Sequence, residues 1–149
     1  MIDLLSVAKY ICRRYEQTFH TPIEEMKLHR LLYFLQRESL LLFDKPVFAD
    51  QFEAWRYGPV MPSLRGVSLD WSNDILTDNP ALSEYLLAFD RVFSLYAHKN
   101  PLSLSSVAHG ETCWKKAKAR ETGSQPGKIL TDDIREDAEI IRVRRILYA

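Results

Sequence analysis

The sequence predicts a mainly α fold: a single compact multi-helix domain over residues 1–149, with one short β-hairpin or an irregular Pro-rich segment near residues 47–62. Three observations carry that expectation. Apolar residues recur at three- and four-residue spacing through most of the chain, which stacks them on one helix face. Start signals at Thr21-Pro22, Asn79-Pro80 and Thr131-Asp132-Asp133 precede periodic stretches. The period gives way most clearly between Val47 and Pro62, where aromatic residues and prolines crowd together.

The elements follow in order. Leu4, Ala8, Ile11 and Tyr15 place a first amphipathic helix over residues 3–16, ending near Gln17 to His20. Thr21-Pro22-Ile23-Glu24 has the spacing of a capping box, with Pro22 at the first helical position. The second helix carries Met26, Leu28, Leu31, Leu32 and Leu35 and runs towards Leu42. It is apolar almost all round between Leu31 and Leu35, so it is expected at the centre of the domain. Asp44-Lys45-Pro46 ends it.

Val47 to Tyr57 fits helical spacing through Phe48, Phe52 and Trp55, and equally fits brief strands. Tyr57-Gly58-Pro59-Val60-Met61-Pro62 is expected to be irregular, because its two prolines lack N–H donors. A short helix is expected near Ser63 to Val67 within a weakly patterned stretch. After Asn79-Pro80, a helix keeps Leu82, Leu86, Phe89, Phe93 and Tyr96 on one stripe, and His98 to Pro101 closes it. A further helix carries Leu104, Val107 and Ala108, and Gly110 separates it from a basic helix over Trp114 to Arg120. Residues 121–127 form a loop, and Thr131-Asp132-Asp133 caps a last helix. Acids in its first turn and Arg142, Arg144 and Arg145 near its end complement the helix dipole.

Composition narrows the function classes. Twenty Lys and Arg balance twenty Asp and Glu. Nucleic-acid binders usually carry a basic excess, because phosphate contacts supply most of their affinity, so DNA is not expected as a partner. Cys12 and Cys113 stand far apart without CxxC spacing and read as buried free thiols. The N-terminus has an acid at Asp3 and basic residues after its apolar part, the reverse of a signal peptide. The most apolar run is broken by Gln36, Arg37 and Glu38, so no membrane span and a cytoplasmic location are expected.

Catalytic signatures are scarce. Five scattered glycines form neither a dinucleotide fingerprint nor a phosphate loop, and HExxH and GxSxG are absent. His109-Gly110-Glu111-Thr112-Cys113 is half of a zinc deaminase pattern, but the Pro-Cys-x-x-Cys half is missing. No metal or other cofactor is therefore expected. A cysteine nucleophile at Cys113 with a His109 base is an alternative. The structural alternative is a helical corner, with His109 and Glu111 bonded to backbone or to each other and Trp114 packed inward. The cluster Phe52, Trp55 and Tyr57 with Pro59 and Pro62 fits either core packing or a rigid recognition surface with Arg56 in its midst. Lys115, Lys116, Lys118 and Arg120 read as one solvated helix face.

Three segments together resemble a known family. Met26-Lys27-Leu28-His29-Arg30-Leu31-Leu32-Tyr33-Phe34 is similar to the "LxKLLYF" helix of the Panacea-domain proteins, also called SocA-like or phage-associated GepA-like proteins. Phe52-Glu53-Ala54-Trp55-Arg56-Tyr57-Gly58-Pro59-Val60-Met61-Pro62 resembles their "EAWxYGPVxP", and His109-Gly110-Glu111-Thr112-Cys113-Trp114 resembles their "HxExPW". Cys113 stands where that last motif has proline. The resemblance extends from about Val7 to Ile134.

It implies an antitoxin of a bacterial or phage toxin–antitoxin pair, a protein that is not an enzyme and neutralises its toxin by direct contact. The implied partner is a cognate toxin encoded next door, with a host protease or chaperone as a further partner. The motif residues Trp55, Arg56, Tyr57, Gly58, Pro59, Val60, Pro62, His109, Glu111 and Trp114 become the candidates for partner binding or for shaping that surface. Two other readings stay open: a small metal- or thiol-dependent hydrolase using His109, Glu111 and Cys113, and a DNA-binding regulator of its own operon.

Overall fold

The computed structural model describes residues 1–69 and 80–149. The described residues are mainly α, with seven helices around a three-stranded sheet. Among them, no helix is long and apolar enough to cross a membrane.

Helix α1 (Leu4–Phe19) starts where the Asp3 carboxylate accepts from Ser6 N–H at 3.1 Å. It ends at His20 in the left-handed conformation, whose N–H bonds back to Glu16 O. Its buried face is Leu4, Val7, Ala8, Ile11, Cys12 and Tyr15.

Helix α2 (Glu25–Phe43) is the centre of the molecule, as its apolar girdle predicts. Every residue from Lys27 to Leu40 is buried, and α1, α4, α5, α7 and the sheet all pack on it. The capping box is a miss. The helix begins three residues beyond Pro22, at Glu25, and Glu24 is its N-cap without a side-chain bond. Ile23 packs on the core from outside the helix, which holds Thr21 to Glu24 as a connector. The far end stops at Asp44, again left-handed.

The chain then makes the sheet. Strand β1 (Phe52–Trp55) runs antiparallel to both β2 (Gly58–Val60) and β3 (Gly127–Ile129), in the order β2-β1-β3. The hairpin alternative is therefore the observed one, and the expectation of an irregular Tyr57 to Pro62 segment is overturned. Pro59 can sit in β2 because β2 is an edge strand. Its carbonyl faces Arg30, away from β1, so its missing N–H removes nothing from the ladder. A 3₁₀ turn over Pro62–Leu64 follows in place of the expected helix near Ser63 to Val67.

Asn79 lies outside the described residues, but Pro80 does open a helix. It comes in two pieces, α3 (Pro80–Ser83) and α4 (Leu86–Leu95). The break at Glu84-Tyr85 shifts the helical phase. Leu82, Tyr85, Phe89, Val92 and Tyr96 face inward, Phe93 is half-buried and Leu86 is 43% exposed, so the expected stripe is corrected at Leu86.

Helices α5 (Pro101–His109) and α6 (Thr112–Ala119) flank Gly110 as expected. Asn100 caps α5 by accepting from Ser103 N–H at 2.8 Å. Strand β3 was not foreseen. It begins at Gly127, the last residue of the expected loop. Helix α7 (Thr131–Leu147) follows directly, and Leu130 is its N-cap rather than Thr131. Asp132 and Asp133 do fill the first turn, and Arg144 and Arg145 the last. The basic face of α6 pairs with acids as a solvated face does. Lys116 reaches Glu136 at 2.9 Å, and Arg120 reaches Asp133 at 2.8 Å.

Gly127 is where the sheet meets α6. A Cβ there would lie 1.6 Å from Ala117 O. Gly127→Ala must push β3 off α6, and it is expected to destabilise by about 3 kcal/mol in urea unfolding. A change below about 0.5 kcal/mol, the range of a neutral surface substitution, would refute that close packing.

Candidate functional site

The hairpin is held from below by one side chain. Arg30, on α2, donates from Nη1 to Pro59 O and from Nη2 to Tyr57 O, each at 2.6 Å. Its Nε donates to Ser105 Oγ on α5 at 3.2 Å. The guanidinium thus pairs with one carbonyl of the turn and one of the edge strand, as a neighbouring strand would. Burial pulls its pKa down to about 10, which leaves it charged at neutral pH. Gly58 makes this contact possible. Its φ is +127°, and a Cβ would sit 2.7 Å from Arg30 Nε.

Above that anchor, the pairing of Trp55 with Gly58 leaves Arg56 and Tyr57 as a two-residue turn. Tyr57 is 58% exposed, and the Arg56 guanidinium lies 5.7 Å from its ring centre. Gly58, Pro59 and Val60 are buried, Trp55 is half-buried and Pro62 is exposed. The motif therefore divides into buried scaffold and displayed tip.

A pocket opens beside the hairpin, between the first turns of α2 and the chain around Arg65. His29 lines it, and its Nδ1 accepts from Met61 N–H at 2.9 Å. The ring proton therefore sits on Nε2, which has no hydrogen-bond partner. Burial pulls the His29 pKa below the ordinary imidazole range, against the pull of Glu25.

The second motif forms the α5–α6 corner. His109 packs against Trp114 with ring centres 4.3 Å apart, and neither His109 Nε2 nor Trp114 Nε1 has a partner. Burial and the nearby Arg30 charge lower the His109 pKa, opposed by the Arg56 backbone beside it. The two motifs thus meet at the hairpin turn. Glu111 turns the other way, into the core, where it pairs with buried Arg37. The expectation that Glu111 bonds to backbone or to His109 is corrected on this point: its partner is a guanidinium from α2. Burial pushes the Glu111 carboxyl up, against the pull of Arg37. Arg37 also donates to Tyr96 Oη and lies 3.7 Å from Glu38, which takes both guanidinium nitrogens of Arg145 at 2.6 and 2.9 Å.

Cys113 faces a third direction, with its sulfur 3.0 Å from Tyr33 Oη. Burial pushes its thiol far above the ordinary range, so it is held protonated. The hydrolase alternative needs His109, Glu111 and Cys113 to converge, and the fold turns them to three different neighbours. Among the described residues, no group of three or more His, Cys, Asp and Glu could hold a metal ion.

Several residues that set this geometry were not among the candidate site residues. Asp137 of α7 caps α6, accepting from Thr112 N–H at 3.0 Å and Cys113 N–H at 2.7 Å. Arg30 and Arg37 sit among apolar residues of a helix that has no polar face to spare. That was the available signal for them.

Glu111→Ala leaves Arg37 buried without its closest carboxylate. It is expected to cost about 3 kcal/mol in urea unfolding, with Glu111→Gln costing less. Equal, near-neutral effects would show that the pair is not what holds the corner. His29 gives a pH dependence. Its folded pKa lies below the unfolded value of about 6.5, so the unfolded chain takes up the proton first. The stability tied to the neutral ring is complete above that pH and is lost as pH falls towards the folded value. Between about pH 7.5 and pH 5.5 the wild type should therefore lose stability more steeply than His29→Gln. Parallel profiles would remove His29 from that account.

No curated protein and no solved structure matches the chain. The family model of the antitoxin SocA-like, Panacea domain matches residues 28–115. The match begins in α2, spans the hairpin and ends just past the α5–α6 corner, so it contains both motifs and the Arg30 and Arg37 side chains that hold them. The chain belongs to the SocA-like, Panacea-domain antitoxin family.

Proposed function

We propose that this protein is the antitoxin of a bacterial or phage toxin–antitoxin pair and neutralises its cognate toxin by direct protein–protein contact. Family membership carries the reading. The geometry supports it through the hairpin turn, where Arg56 and Tyr57 project from a strand clamped by Arg30. Tyr and Arg are among the residue types that dominate interface energies, and a tip fixed in advance loses little entropy on binding. The toxin is encoded by the adjacent gene, and the pair acts in the cytoplasm. Masking of the toxin is sufficient in this reading. A host protease or chaperone would act only on the complex.

Co-expression of the tagged chain with the product of the adjacent gene tests the proposal. The neighbour should co-purify in stoichiometric amount and should arrest growth only when expressed alone. A harmless neighbour that does not bind overturns the reading. Within a complex, Arg56→Ala and Tyr57→Ala should each weaken capture about tenfold, corresponding to ~1.4 kcal/mol, with unchanged unfolding curves. Undiminished capture by both variants would move the contact surface elsewhere.

A further inference from the structure

We propose that the pocket beside the hairpin receives one acidic side chain, a Glu or Asp, from the partner protein. The inference rests on the antitoxin reading for the identity of the partner. It rests on the pocket alone for the chemistry of the guest.

Size sets the first limit. The cavity volume is about 180 Å³. That is room for about six waters at ~30 Å³ each, well below the ~300–1,000 Å³ of a small-molecule site. One side chain fits the space. Its walls are Met26, Trp55, Tyr57 and Val60, which suit a short apolar stem.

Hydrogen bonding sets the second limit. His29 is 2% exposed, and its Nε2–H has no acceptor. The nearest carboxylate oxygen, Glu25 Oε1, is 3.6 Å away, in electrostatic contact but beyond hydrogen-bond distance, and it belongs to a half-exposed side chain that also accepts from Gly66 N–H at 2.9 Å. Buried donors are rarely left so, and the missing atom is an acceptor.

Charge sets the third limit. Arg30 and Arg65 line the pocket against one carboxylate, Glu25. Arg30 spends three of its five N–H groups on neutral oxygens, Pro59 O, Tyr57 O and Ser105 Oγ. Its charge is buried without a carboxylate partner among the described residues. Arg65 lies 4.8 Å from the Trp55 ring centre and 3.9 Å from Glu25, at the exposed rim. A neutral acceptor would satisfy His29 alone. A carboxylate satisfies His29 and balances the second guanidinium as well.

Two probes test this on the full-length chain. The first needs no toxin: blocked glutamate (N-acetyl-glutamate methylamide) and blocked glutamine are titrated while the His29 Nε2–H resonance is followed by NMR. Blocked glutamate should shift it saturably, with blocked glutamine at least tenfold weaker. Arg65→Glu should abolish the shift, and Arg65→Lys should keep it. Arg65 is more than half exposed, so neither variant should disturb folding. No saturable shift, equal response to the two probes, or an undiminished shift in Arg65→Glu overturns the assignment. The second probe is capture of the adjacent gene product by wild type and Arg65→Glu. Loss of capture in the variant places the toxin's acid in this pocket, and equal capture overturns that placement. If wild type captures nothing while blocked glutamate still binds, the antitoxin reading fails and the chemistry of the pocket stands.

Discussion

Between Lys27 and Leu40, helix α2 has no side that faces water. Fourteen consecutive residues, Lys27 to Leu40, are buried, and half of them are polar. Each unpartnered buried donor or acceptor costs about 1–3 kcal/mol, and a buried unpaired charge costs more. The polar side chains of α2 therefore have to find partners on whatever packs against them. Lys27 reaches Tyr15 of α1 at 3.0 Å. Gln36 holds the chain at Val47 and Phe48 from both ends of its amide, and Ser39 donates to Lys45 O. Arg30 takes the hairpin and α5, Arg37 takes the α5–α6 corner, and Glu38 takes α7. These bonds decide which element lies against which turn of the helix.

The two arginines solve the same problem in opposite ways. Arg37 is neutralised within the core. It meets Glu111, Glu38 meets the half-buried Arg145, and the four charges cancel along one chain that runs from the core to its edge. The Arg37 guanidinium also lies over the stacked rings of Phe34 and Tyr96. Such a group tolerates removal of no member, which suits a joint that must not move. Arg30 meets only neutral oxygens and keeps an unbalanced charge beside a half-open pocket. It sits seven residues before Arg37, two turns along the same helix. One end of α2 is thus electrostatically closed and the other is open. The open end is the one next to the displayed hairpin turn.

The helices were largely legible because their signal is local. Periodicity placed α1, α2, α5 and α6 to within a few residues, and the girdle from Leu31 to Leu35 correctly put α2 at the centre. What was missed depends on distant partners. The capping box at Thr21 did not form: the helix starts at Glu25, and Ile23 packs on the core from the connector before it. Strand β3 has three residues, and its partner, β1, lies some seventy positions away. Pro59 argued against a strand until β2 proved to be an edge. The candidate residues were legible by motif, but their division of labour was not. Glu111 and Trp114 stand three residues apart in the same motif, yet one pairs in the core and the other lies half-buried against His109. Asp137 caps α6 from α7, a relation that neither helix's own sequence announces.

That cap bears on one of the residues where the chain departs from the motifs it resembles. Cys113 replaces a proline, and its N–H donates to Asp137 at 2.7 Å, a bond proline cannot make. The thiol meanwhile occupies an apolar position against Tyr33. The Cys113 N–H thus adds a bond to the joint between α6 and α7. The hairpin shows the complementary arrangement. The motif's fixed Gly58, Pro59 and Val60 are buried by Arg30, and of its two open positions one, Arg56, falls at the exposed turn beside Tyr57 while the other, Met61, is buried. Side chains at the turn can change without disturbing the clamp, because Arg30 grips backbone oxygens rather than side chains. A scaffold anchored through carbonyls can present different side chains at its turn while its fold stays the same.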